Sequence, residues 1–440
     1  MIPVKHSVKR LAALLLAAAM VFSLLPVTAL AAPRRSSRTG GVTIDVTDYG
    51  ADPTGAQESS TAVRAALAYA ATLGDEVEKT ISFPEGEYHF YADKSVEKEL
   101  YVSNTVGTNQ SYKNKRLGIL VEGMKNVTVD GGGSQFIFHG DMTSFAAIDS
   151  QNVTFTNFSM DWASPSVIDV TVESRVEGEN AAIVYIPPCY TYEINGTNIH
   201  WTVEGDSTHS GNNELYNGMK QIHDLSDGTT VRDSNRHVFS NVSSFEKLAD
   251  NRLKITYSNA NSVPAAGLCF QLRNITRTTP GIFFWQSENI TVSNTHVQFL
   301  HGFGMVAQLC KDITLNGVKF APRAGTGRTT AGVADFVQMS SVGGKGTITN
   351  CEFSGPHDDP INIHGTFLVV KEISSDRRTV TVQYMHGETA GFPQYYVGDT
   401  VDFSTKGTII PNDNSTLKLR PVENYPDANR TRIKLKLEAT

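Results

Sequence analysis

The chain has few cysteines, few tryptophans and no excess of positive charge, and each shortage excludes a class of protein. Its 440 residues include only 4 cysteines, too few for a small scaffold held together by disulfides. The 38 basic residues are outnumbered by 45 acidic ones, which gives a net charge of -7. Because no basic stripe is visible either, the sequence argues against binding to nucleic acid.

The cysteines show no pairing pattern that the sequence alone decides. Cys189 and Cys269 flank one segment and could form a disulfide, whereas Cys310 and Cys351 fall inside apolar strand patterns. A cysteine in such a pattern is more often a buried free thiol. None of the four has a Cys/His spacing typical of a zinc site.

Long apolar runs are also missing after Leu25. Lys5, Lys9 and Arg10 precede an apolar run over residues 11–25, and the small-x-small sequence Ala29-Leu30-Ala31 follows. This order predicts a signal peptide over residues 1–31, removed on export. The run is too short for a convincing membrane anchor, so we expect a secreted, soluble bacterial protein with no membrane span.

What the sequence does contain is a repeat of short Val/Ile/Thr strands that begin or end at Asn, Asp or Gly. The recurring segments are Asn126–Val129, Asn152–Phe155, Asn289–Val292, Asp312–Leu315 and Thr347–Asn350. A repeat of about 20–25 residues with this composition predicts a stacked parallel β-solenoid. Its Asn and Gly positions suit left-handed corners and side-chain ladders. A β-sandwich is the alternative, but its strands need not keep a fixed period.

Two regions break the period and predict a domain organisation. Residues 165–275 and 366–440 carry hairpin-like alternation, typical of antiparallel β modules inserted between coils. We therefore predict β-helix coils over residues 42–164 and 276–365. The second module runs almost to Thr440, which predicts a chain truncated before the coils resume. A helix from Ser60 to Leu73, with Ser59 or Ser60 as N-cap, would cover the first coil.

Three aspartates carry the strongest chemical signal. Asp335 interrupts an apolar run, and one repeat later the pair Asp358-Asp359 leads into an apolar strand. Residues one repeat apart lie on neighbouring rungs, about 4.8 Å apart, so the three carboxylates would crowd one patch. Adjacent acids alone usually indicate a solvated loop. Gly355 and Pro360 would nevertheless allow the bend that turns both aspartates to one side.

Such crowding suits glycoside hydrolysis, because one carboxyl must hold a proton while another is ionised. Like-charge repulsion separates the pKa values of neighbouring carboxyls. Carboxyl separations of about 6.5–9.5 Å accompany inverting chemistry, and those of about 5–5.5 Å accompany retaining chemistry. Residues on the same coils could contact a sugar, although each is alone more often a core or loop residue: His301, Gln338, His364, Arg323, Trp285 and His357.

At these residues the chain resembles glycoside hydrolase family 110, the secreted bacterial α-1,3-galactosidases. The resemblance extends from about residue 42 to about residue 400, and several motifs occur in order. They are Val46–Asp52, Phe83–Tyr88, Gly118–Val127, Phe138–Gly140, Phe158–Trp162, His301–Met305, Ala334–Gln338 and His357–Gly365.

The resemblance implies a right-handed parallel β-helix with inserted β-barrel modules and no metal or organic cofactor. It implies an inverting exo-enzyme that cleaves terminal α-1,3-linked galactose, as in blood group B and linear Gal-α-1,3-Gal glycans. The catalytic residues of the family correspond to Asp335, Asp358 and Asp359. By analogy with polygalacturonases, Asp358 would be the general acid, and the other two would activate the water.

Two other functions stay open from the sequence. A β-helical hydrolase or lyase acting on an acidic polysaccharide is one, although no row of Lys or Arg stands beside the aspartates in the sequence. A lyase would also normally need calcium. A non-catalytic glycan-binding adhesin is the other, but it would not require Asp335 on the rung before Asp358. The oligomeric state is not predicted.

Overall fold

A computed structural model describes residues 41–440 apart from 106–109, 217–218, 234, 366, 387–398, 406, 408–416, 424–431 and 440. The predicted signal peptide, residues 1–31, lies outside the described residues. The described chain is mostly β-strand, with one α-helix, α1 (Ser60–Ala71). Within these ranges, no helix has both the length and the hydropathy needed to cross a membrane.

The strands fall into four consecutive groups. The first group is β1 (Val42–Asp45), β2 (Thr54–Glu58), β3 (Lys79–Ser82), β4 (Glu87–Tyr91), β5 (Val96–Glu99), β6 (Asn114–Glu122), β7 (Lys125–His139), β8 (Thr143–Ile148) and β9 (Gln151–Trp162). The second is β10 (Val167–Arg175), β11 (Ala181–Tyr185), β12 (Thr191–Asn195), β13 (Asn198–Thr202), β14 (Gly211–Asn212), β15 (Met219–Asp224), β16 (Thr230–Arg232), β17 (Val242–Lys247), β18 (Arg252–Tyr257) and β19 (Leu268–Arg273).

The remaining groups complete the described chain. The third group is β20 (Ile282–Trp285), β21 (Glu288–Val297), β22 (Met305–Gln308), β23 (Lys311–Phe320), β24 (Val337–Ser340), β25 (Gly343–Thr349), β26 (Glu352–Phe353) and β27 (Ile361–His364). The fourth is β28 (Leu368–Ile373), β29 (Thr379–Tyr384), β30 (Thr400–Val401), β31 (Leu417–Glu423) and β32 (Arg432–Ala439). Short 3₁₀ helices are Val46–Tyr49, Ala92–Lys94, Gln110–Tyr112, Asn213–Tyr216 and Ala260–Ser262.

Two parallel sheets hold the first and third groups. Sheet 1 has the order β1-β3-β7-β9-β21-β23-β25, with β2, β4 and β26 attached. Sheet 2 has the order β27-β24-β22-β20-β8-β6-β5, and only its β5–β6 pair is antiparallel. From β6 to β9 and again from β20 to β25 the chain alternates between the two sheets. Parallel pairing between strands about one repeat apart is therefore present, as the periodicity predicts.

Aromatic side chains pack the two parallel sheets against each other. Phe145 on β8 of sheet 2 lies 4.5 Å from Phe155 on β9 of sheet 1, measured between ring centroids. Phe155 in turn stacks on Phe284 of β20 at 5.9 Å. All three rings are fully buried. The three rings belong to one continuous core between the two sheets.

The corners of sheet 1 use the asparagines of the repeat. Asn126, Asn152 and Asn289 have φ values of 57°, 55° and 54°, and Asp312 has 56°. Asn152 Nδ2 donates to Asn126 Oδ1 at 2.8 Å, and Asn289 Nδ2 donates to Asn152 Oδ1 at 2.9 Å. The predicted left-handed corners and side-chain ladder are confirmed. A short polar side chain tolerates this backbone region and can bond its copy on the next rung.

The predicted helix is present, and its N-cap position is held by Ser59, one of the two predicted serines. Helix α1 buries Val63, Ala66 and Leu67 against the core. Ser59 makes no capping bond from its side chain, because its Oγ accepts from the backbone N–H of Asp52 at 3.2 Å. Ser60 Oγ likewise accepts from a residue outside the helix, Tyr91, at 3.0 Å.

Antiparallel sheets occupy the two regions where the period breaks. Sheet 3 has the order β16-β15-β19-β10-β11-β18-β17, and β12-β13-β14 form a small sheet beside it. Sheet 4 has the order β28-β29-β32-β31-β30. Sheet 3 has its own core, which includes Trp201, Tyr216 and Phe270. The antiparallel strands predicted at residues 167–172, 252–257 and 379–382 are confirmed, whereas the domain boundaries stay predictions.

The proposed Cys189–Cys269 disulfide is absent. All four cysteines are free thiols. Cys269 is buried and contacts Thr329 in the segment before β24, whose Oγ1 lies 3.3 Å from its sulfur. Cys310 is buried as predicted, but Cys351 is only half-buried.

Candidate active site

The three aspartates come together at one edge of sheet 2. Strands β24 and β27 are parallel, with Val337 opposite Ile361 on the next rung. Asp335 precedes β24, and Asp358 and Asp359 precede β27. One carboxylate oxygen from each lies within 4.8 Å of the other two. Continued backward, the register places Asp359, and not Asp358, directly beside Asp335.

Backbone hydrogen bonds and a glycine fix this arrangement. Phe336 N donates to Asp359 O at 3.0 Å, which ties the two aspartate segments together. On the preceding rung, Gly304 has a φ of 54°, and a Cβ there would lie 1.9 Å from Asp335 O. Gly355, with a φ of 74°, supplies the expected bend before the pair. Close backbone approach at Gly304 therefore sets where Asp335 sits.

Asp335 differs from its two neighbours in burial. It is 3% exposed, whereas the side chain of Asp358 is 35% exposed. Burial raises the pKa of Asp335 to about 6, and the charges of Asp358 and Asp359 act in the same direction. Asn362 Nδ2 donates to Asp335 Oδ2 at 3.1 Å and opposes the shift. The cluster can thus hold a proton on one carboxyl while another is ionised.

Basic residues from sheet 3 approach the cluster, and the sequence analysis did not find them. Arg232 Nη2 lies 3.8 Å from Asp358 Oδ2. It also donates to the carbonyl of His357 at 3.4 Å, and Gln221 Nε2 donates to the same oxygen at 3.3 Å. Buried Arg273 donates to the carbonyl of Val333. These residues lie far before the aspartates in the sequence, so only the antiparallel insertion brings them near.

No row of Lys or Arg stands beside the aspartates in the sequence, but the fold brings Arg232 and Arg273 near them. Burial, followed by the charges of Arg277 and Arg232, lowers the pKa of Arg273 to about 10, which leaves it charged at neutral pH. His357 is fully buried behind the pair. Burial and the charges of Arg273 and Arg232 lower the pKa of His357 to about 3, so its ring is neutral. Its buried ring is not positioned to contact a sugar.

Gln338 lies on β24, but its side chain is hydrogen-bonded to the loop that contains Ser103 and Asn104. Its Nε2 donates to Ser103 Oγ at 3.2 Å, and its Oε1 accepts from Asn104 at 3.4 Å. Gln308 on the neighbouring strand holds the same loop, because its Oε1 accepts from Ser103 N at 2.9 Å. Both glutamines are fully buried. The side chain of Gln338 thus fixes a loop over sheet 2.

His301 belongs to a separate buried cluster. Its Nε2 lies 3.2 Å from Asp206 Oδ2, and its Nδ1 lies 3.6 Å from Asp141 Oδ1. His209 Nδ1 lies 2.6 Å from the same Asp206 oxygen. Burial alone would raise the pKa of Asp206, but hydrogen bonds from His209 and His301 lower it. The ring of His301 also packs on Trp162 at 5.8 Å.

Trp285 and His364 lie at the opposite end of the strands. They share one row of the register with Gln308 and Ser340, at the last residues of β20, β22, β24 and β27. Asp335 is five residues before Ser340, about 16 Å along an extended strand. The structure therefore does not bring either side chain to the aspartates.

Arg323 is exposed and lines the wall of a large cavity. The cavity has a volume of about 820 Å³ and lies between sheet 3 and the segments that precede β24 and β27. Its lining includes Thr329, Ser354 and Gly355, the last only three residues before Asp358. The aspartates themselves do not line it. Arg323 is thus placed next to the aspartate segments without touching the three carboxylates.

Two groups in the described ranges have donor atoms close enough to hold a metal ion. One is the aspartate cluster, and the other is Asp206, His209 and His301. In the second group the short His209–Asp206 contact matches a hydrogen bond, and burial would lower the pKa of His209 whereas Asp206 raises it. That set therefore fits a carboxylate shared by two imidazoles. The first group combines one buried carboxyl with two more exposed ones.

The chain is 43% identical over 388 residues to Alpha-1,3-galactosidase A of Peterkaempfera griseoplana. The aligned residues make up 87% of this chain and 52% of that protein. It is 42% identical over 411 residues to Alpha-1,3-galactosidase A of Streptomyces avermitilis, covering 92% and 64%. The chain is homologous to the α-1,3-galactosidases. The resemblance drawn from the sequence motifs is confirmed.

A more distant homologue, Alpha-1,3-galactosidase A of Bacteroides thetaiotaomicron, is 34% identical over 334 residues, covering 75% of this chain and 56% of that protein. The chain thus spans about half to two thirds of the length of these relatives. No protein-family model matches it. Among solved structures, the Streptococcus pneumoniae adhesin PfbA covers 73% of this chain and is fully covered itself, at 11% identity and a TM-score of 0.22, too low to support an argument.

Proposed function

We propose that the chain is an exo-acting α-1,3-galactosidase that hydrolyses terminal α-1,3-linked galactose with inversion of configuration. The observation that carries the proposal is the cluster of Asp335, Asp358 and Asp359, whose carboxylate oxygens lie within 4.8 Å of one another. Its members differ in burial, and burial raises the pKa of Asp335 to about 6. The names of the homologous proteins support the linkage. Inversion rests on the resemblance to the family. The 4.8 Å limit describes the closest oxygens, whereas inverting and retaining enzymes are distinguished by the separation of their carboxyl groups.

In the proposed reaction Asp358 donates a proton to the glycosidic oxygen as the bond from that oxygen to C1 breaks. Water attacks C1 from the opposite face and gives its proton to the pair Asp335 and Asp359, so one proton enters and one leaves the cluster. A base with a pKa near the working pH is effective, and this supports Asp335 in that role.

We infer that sheets 1 and 2 form a right-handed parallel β-helix, with antiparallel modules inserted over residues 165–275 and 366–440. The alternation of the chain between the two sheets supports this reading. Right-handed crossover is the general rule for parallel strands. Sheet 3 would then be part of the active site, since Arg232 reaches Asp358 and Gln221 donates to the carbonyl of the preceding residue, His357. The apolar N-terminal run supports a secreted enzyme acting on galactosyl glycans of glycoproteins or glycolipids.

A second candidate gains support from one observation. Arg232, whose side chain is 53% exposed beside Asp358, is a cation that a hydrolase of acidic polysaccharides would use to bind carboxylates. Reducing-sugar release from polygalacturonate would favour this function over galactoside hydrolysis. The homologues' names and the identity of up to 43% favour the galactosidase.

The test is proton NMR of the purified protein with Gal-α-1,3-Gal and with the blood group B trisaccharide. We expect β-galactose to appear first and the α anomer only later, through mutarotation. Initial release of α-galactose would contradict inversion but not the activity. No galactose from either glycan, in a protein with a cooperative thermal transition, would contradict the galactosidase proposal.

A further inference from the structure

The group Asp206, His209 and His301 has three donor atoms that converge, one from each side chain and each within 4.8 Å of the other two. All three side chains are buried. We propose that this group binds a divalent transition-metal ion of the Zn²⁺ type. The proposal does not depend on the galactosidase function, because the ion takes no part in the reaction proposed above.

The ligand set has the chemistry that zinc prefers. Two imidazoles and a carboxylate bind Zn²⁺ in proteins, whereas Ca²⁺ and Mg²⁺ take oxygen ligands. His209 Nδ1 lies 2.6 Å and His301 Nε2 lies 3.2 Å from Asp206 Oδ2. Ligand atoms about 2.1 Å from a tetrahedral ion are about 3.4 Å apart. The His301 contact therefore needs little adjustment, and the His209 contact must open by about 0.8 Å. A water would complete the four-coordinate site.

Each imidazole also has a partner for the nitrogen that faces away from Asp206. His209 Nε2 donates to the carbonyl of Thr276 at 3.0 Å, and His301 Nδ1 lies 3.6 Å from Asp141 Oδ1. Metal-bound histidines almost always donate their second N–H to a carbonyl or a carboxylate, which fixes the tautomer and the orientation of the ring. Protons on these two outer nitrogens would leave both inner nitrogens with lone pairs for a metal.

Hydrogen bonds account least for His301. Its ring is fully buried, yet neither of its nitrogens makes a well-directed hydrogen bond to any residue that the structure describes. The same holds for Oδ1 of Asp141, a buried atom of a side chain that is 28% exposed as a whole. A buried polar atom without a partner costs free energy. A metal on Nε2 would give that nitrogen a partner and would direct the Nδ1 proton to Asp141.

The charges around the group suit a divalent cation. The carboxylates of Asp141 and Asp206 lie on either side of one imidazole ring. A buried cation beside them, Lys115, donates to two backbone carbonyls, and burial lowers its pKa to about 7. With neutral imidazoles the group has an excess of negative charge that a divalent ion balances. Without a metal, protons on the imidazoles must supply that balance, which gives the carboxylate shared by two imidazoles described above.

A metal at this position would join two parts of the chain. Asp206 and His209 lie between the antiparallel strands β13 and β14, whereas His301 lies before β22 of sheet 2. Gly304, three residues after His301, closely approaches the carbonyl of Asp335. The ion would therefore fasten the antiparallel insertion to the rung beside the active site. Because the unfolded chain has no such site, binding should stabilise the fold.

The test is Zn²⁺ binding by the purified protein after dialysis against a chelator. Competition with a chromophoric zinc chelator measures both stoichiometry and Kd. We expect one Zn²⁺ per chain with a Kd of about 10⁻⁷ M or lower, and a thermal midpoint that rises when Zn²⁺ is added. His301→Gln should remove this binding. Asp141→Asn keeps the three ligands and should weaken the binding about 10–100-fold.

The matched control is His89→Gln. His89 Nδ1 lies 2.8 Å from His139 Nε2, and a glutamate contacts the outer nitrogen of each ring. This second pair of histidines has similar chemistry, but its contacts run in a line and do not converge on one point. His89→Gln should therefore bind Zn²⁺ as tightly as the unaltered protein. Loss of binding in this variant, with binding retained in His301→Gln, would assign the metal to the other pair and overturn the proposal.

Two other results would also overturn it. One is a Kd above about 10⁻⁷ M for the unaltered protein, which would leave Asp206 and its two histidines as a hydrogen-bonded cluster only. The other is an unchanged Kd in both His301→Gln and Asp141→Asn. If His301→Gln shows no cooperative thermal transition, the Kd of Asp141→Asn decides alone, because its partly exposed side chain is replaced by one of the same shape.

Discussion

Asp161 and Asp169 lie in the same region as Asp335 and Asp358, yet the protein surrounds the two pairs differently. Both oxygens of Asp161 accept from the guanidinium of Arg328. Asp169 accepts from the backbone and side chain of Thr330, five residues before Asp335. Asp161 and Asp169 thus both accept hydrogen bonds from the segment that precedes Asp335.

Asp335 and Asp358 have less compensation. Asp335 receives an amide from Asn362 at 3.1 Å, and the nearest guanidinium nitrogen to Asp358 is 3.8 Å away. Two further negative charges lie close to each of them. Buried charge without full pairing costs folding free energy, so this difference indicates which carboxylates serve structure and which serve chemistry.

The largest effect should come from removing a carboxylate of the cluster. We expect Asp358→Asn and Asp335→Asn each to lower kcat on Gal-α-1,3-Gal by about 10³-fold or more, because proton transfer is lost. Asp359→Asn should lower kcat more than it raises KM. Galactose release followed by NMR, with circular dichroism to check folding, makes the measurement.

Asp149→Asn is the control for these variants. Asp149 is exposed at a corner with a φ of 49°, a conformation that asparagine also tolerates. It should keep full activity. Near-normal hydrolysis by Asp335→Asn or Asp358→Asn would show that the site has been assigned to the wrong residues.

Replacing a structural carboxylate should lower the stability of the fold. Asp161→Asn leaves Arg328 buried with its charge unpaired, and such losses cost about 3–5 kcal/mol of unfolding free energy. Urea denaturation followed by fluorescence measures this difference. Glu179→Gln breaks the exposed Lys254 pair, 2.6 Å in length, and should leave the midpoint unchanged. A similar midpoint for both variants would contradict the distinction between the two kinds of carboxylate.

The sequence predicts the contacts between strands one repeat apart, but it does not predict the contacts that sheet 3 makes. The parallel rungs, the asparagine corners and the meeting of Asp335 with the Asp358 pair all follow from the period of the repeat, so pattern alone predicts them. The contacts of Arg232 and Arg273 do not, because they come from an antiparallel insertion with no period. Neither pairing nor register of that insertion is encoded in its spacing.

The side chains misplaced by sequence analysis have a common cause. Trp285 and His364 lie on the expected strands, but at the far end of them, and even a short strand is long enough to remove a side chain from the site. His301 and Gln338 are near in sequence to motifs of the site, but buried hydrogen bonds direct them elsewhere. Composition indicates which residues can bind sugar, and only the register indicates where they point.

Replacing Asp335 should change stability by a smaller amount than replacing Asp161, and in the opposite direction. The pKa of Asp335 is raised from 3.8 to about 6 in the folded state, so stability falls as pH rises through that window and stays lower above it. Asp335→Asn removes this loss and should stabilise the protein by roughly 1–3 kcal/mol at pH 7.5. At pH 4 the variant and parent should unfold alike. Destabilisation at pH 7.5 would place Asp335 with the structural carboxylates.

The pH profile should show the same group at work in catalysis. If Asp335 activates water it must be ionised, so kcat/KM should fall about tenfold per pH unit below a midpoint near its pKa of about 6. In Asp359→Asn the residual activity should show a lower midpoint, because a charge that raises the pKa of Asp335 has been removed. A decline above pH 6 in place of one below it would exchange the roles of Asp335 and Asp358 and make the buried carboxyl the acid. If the midpoint in Asp359→Asn equals that of the parent protein, Asp335 is not the group whose ionisation controls kcat/KM.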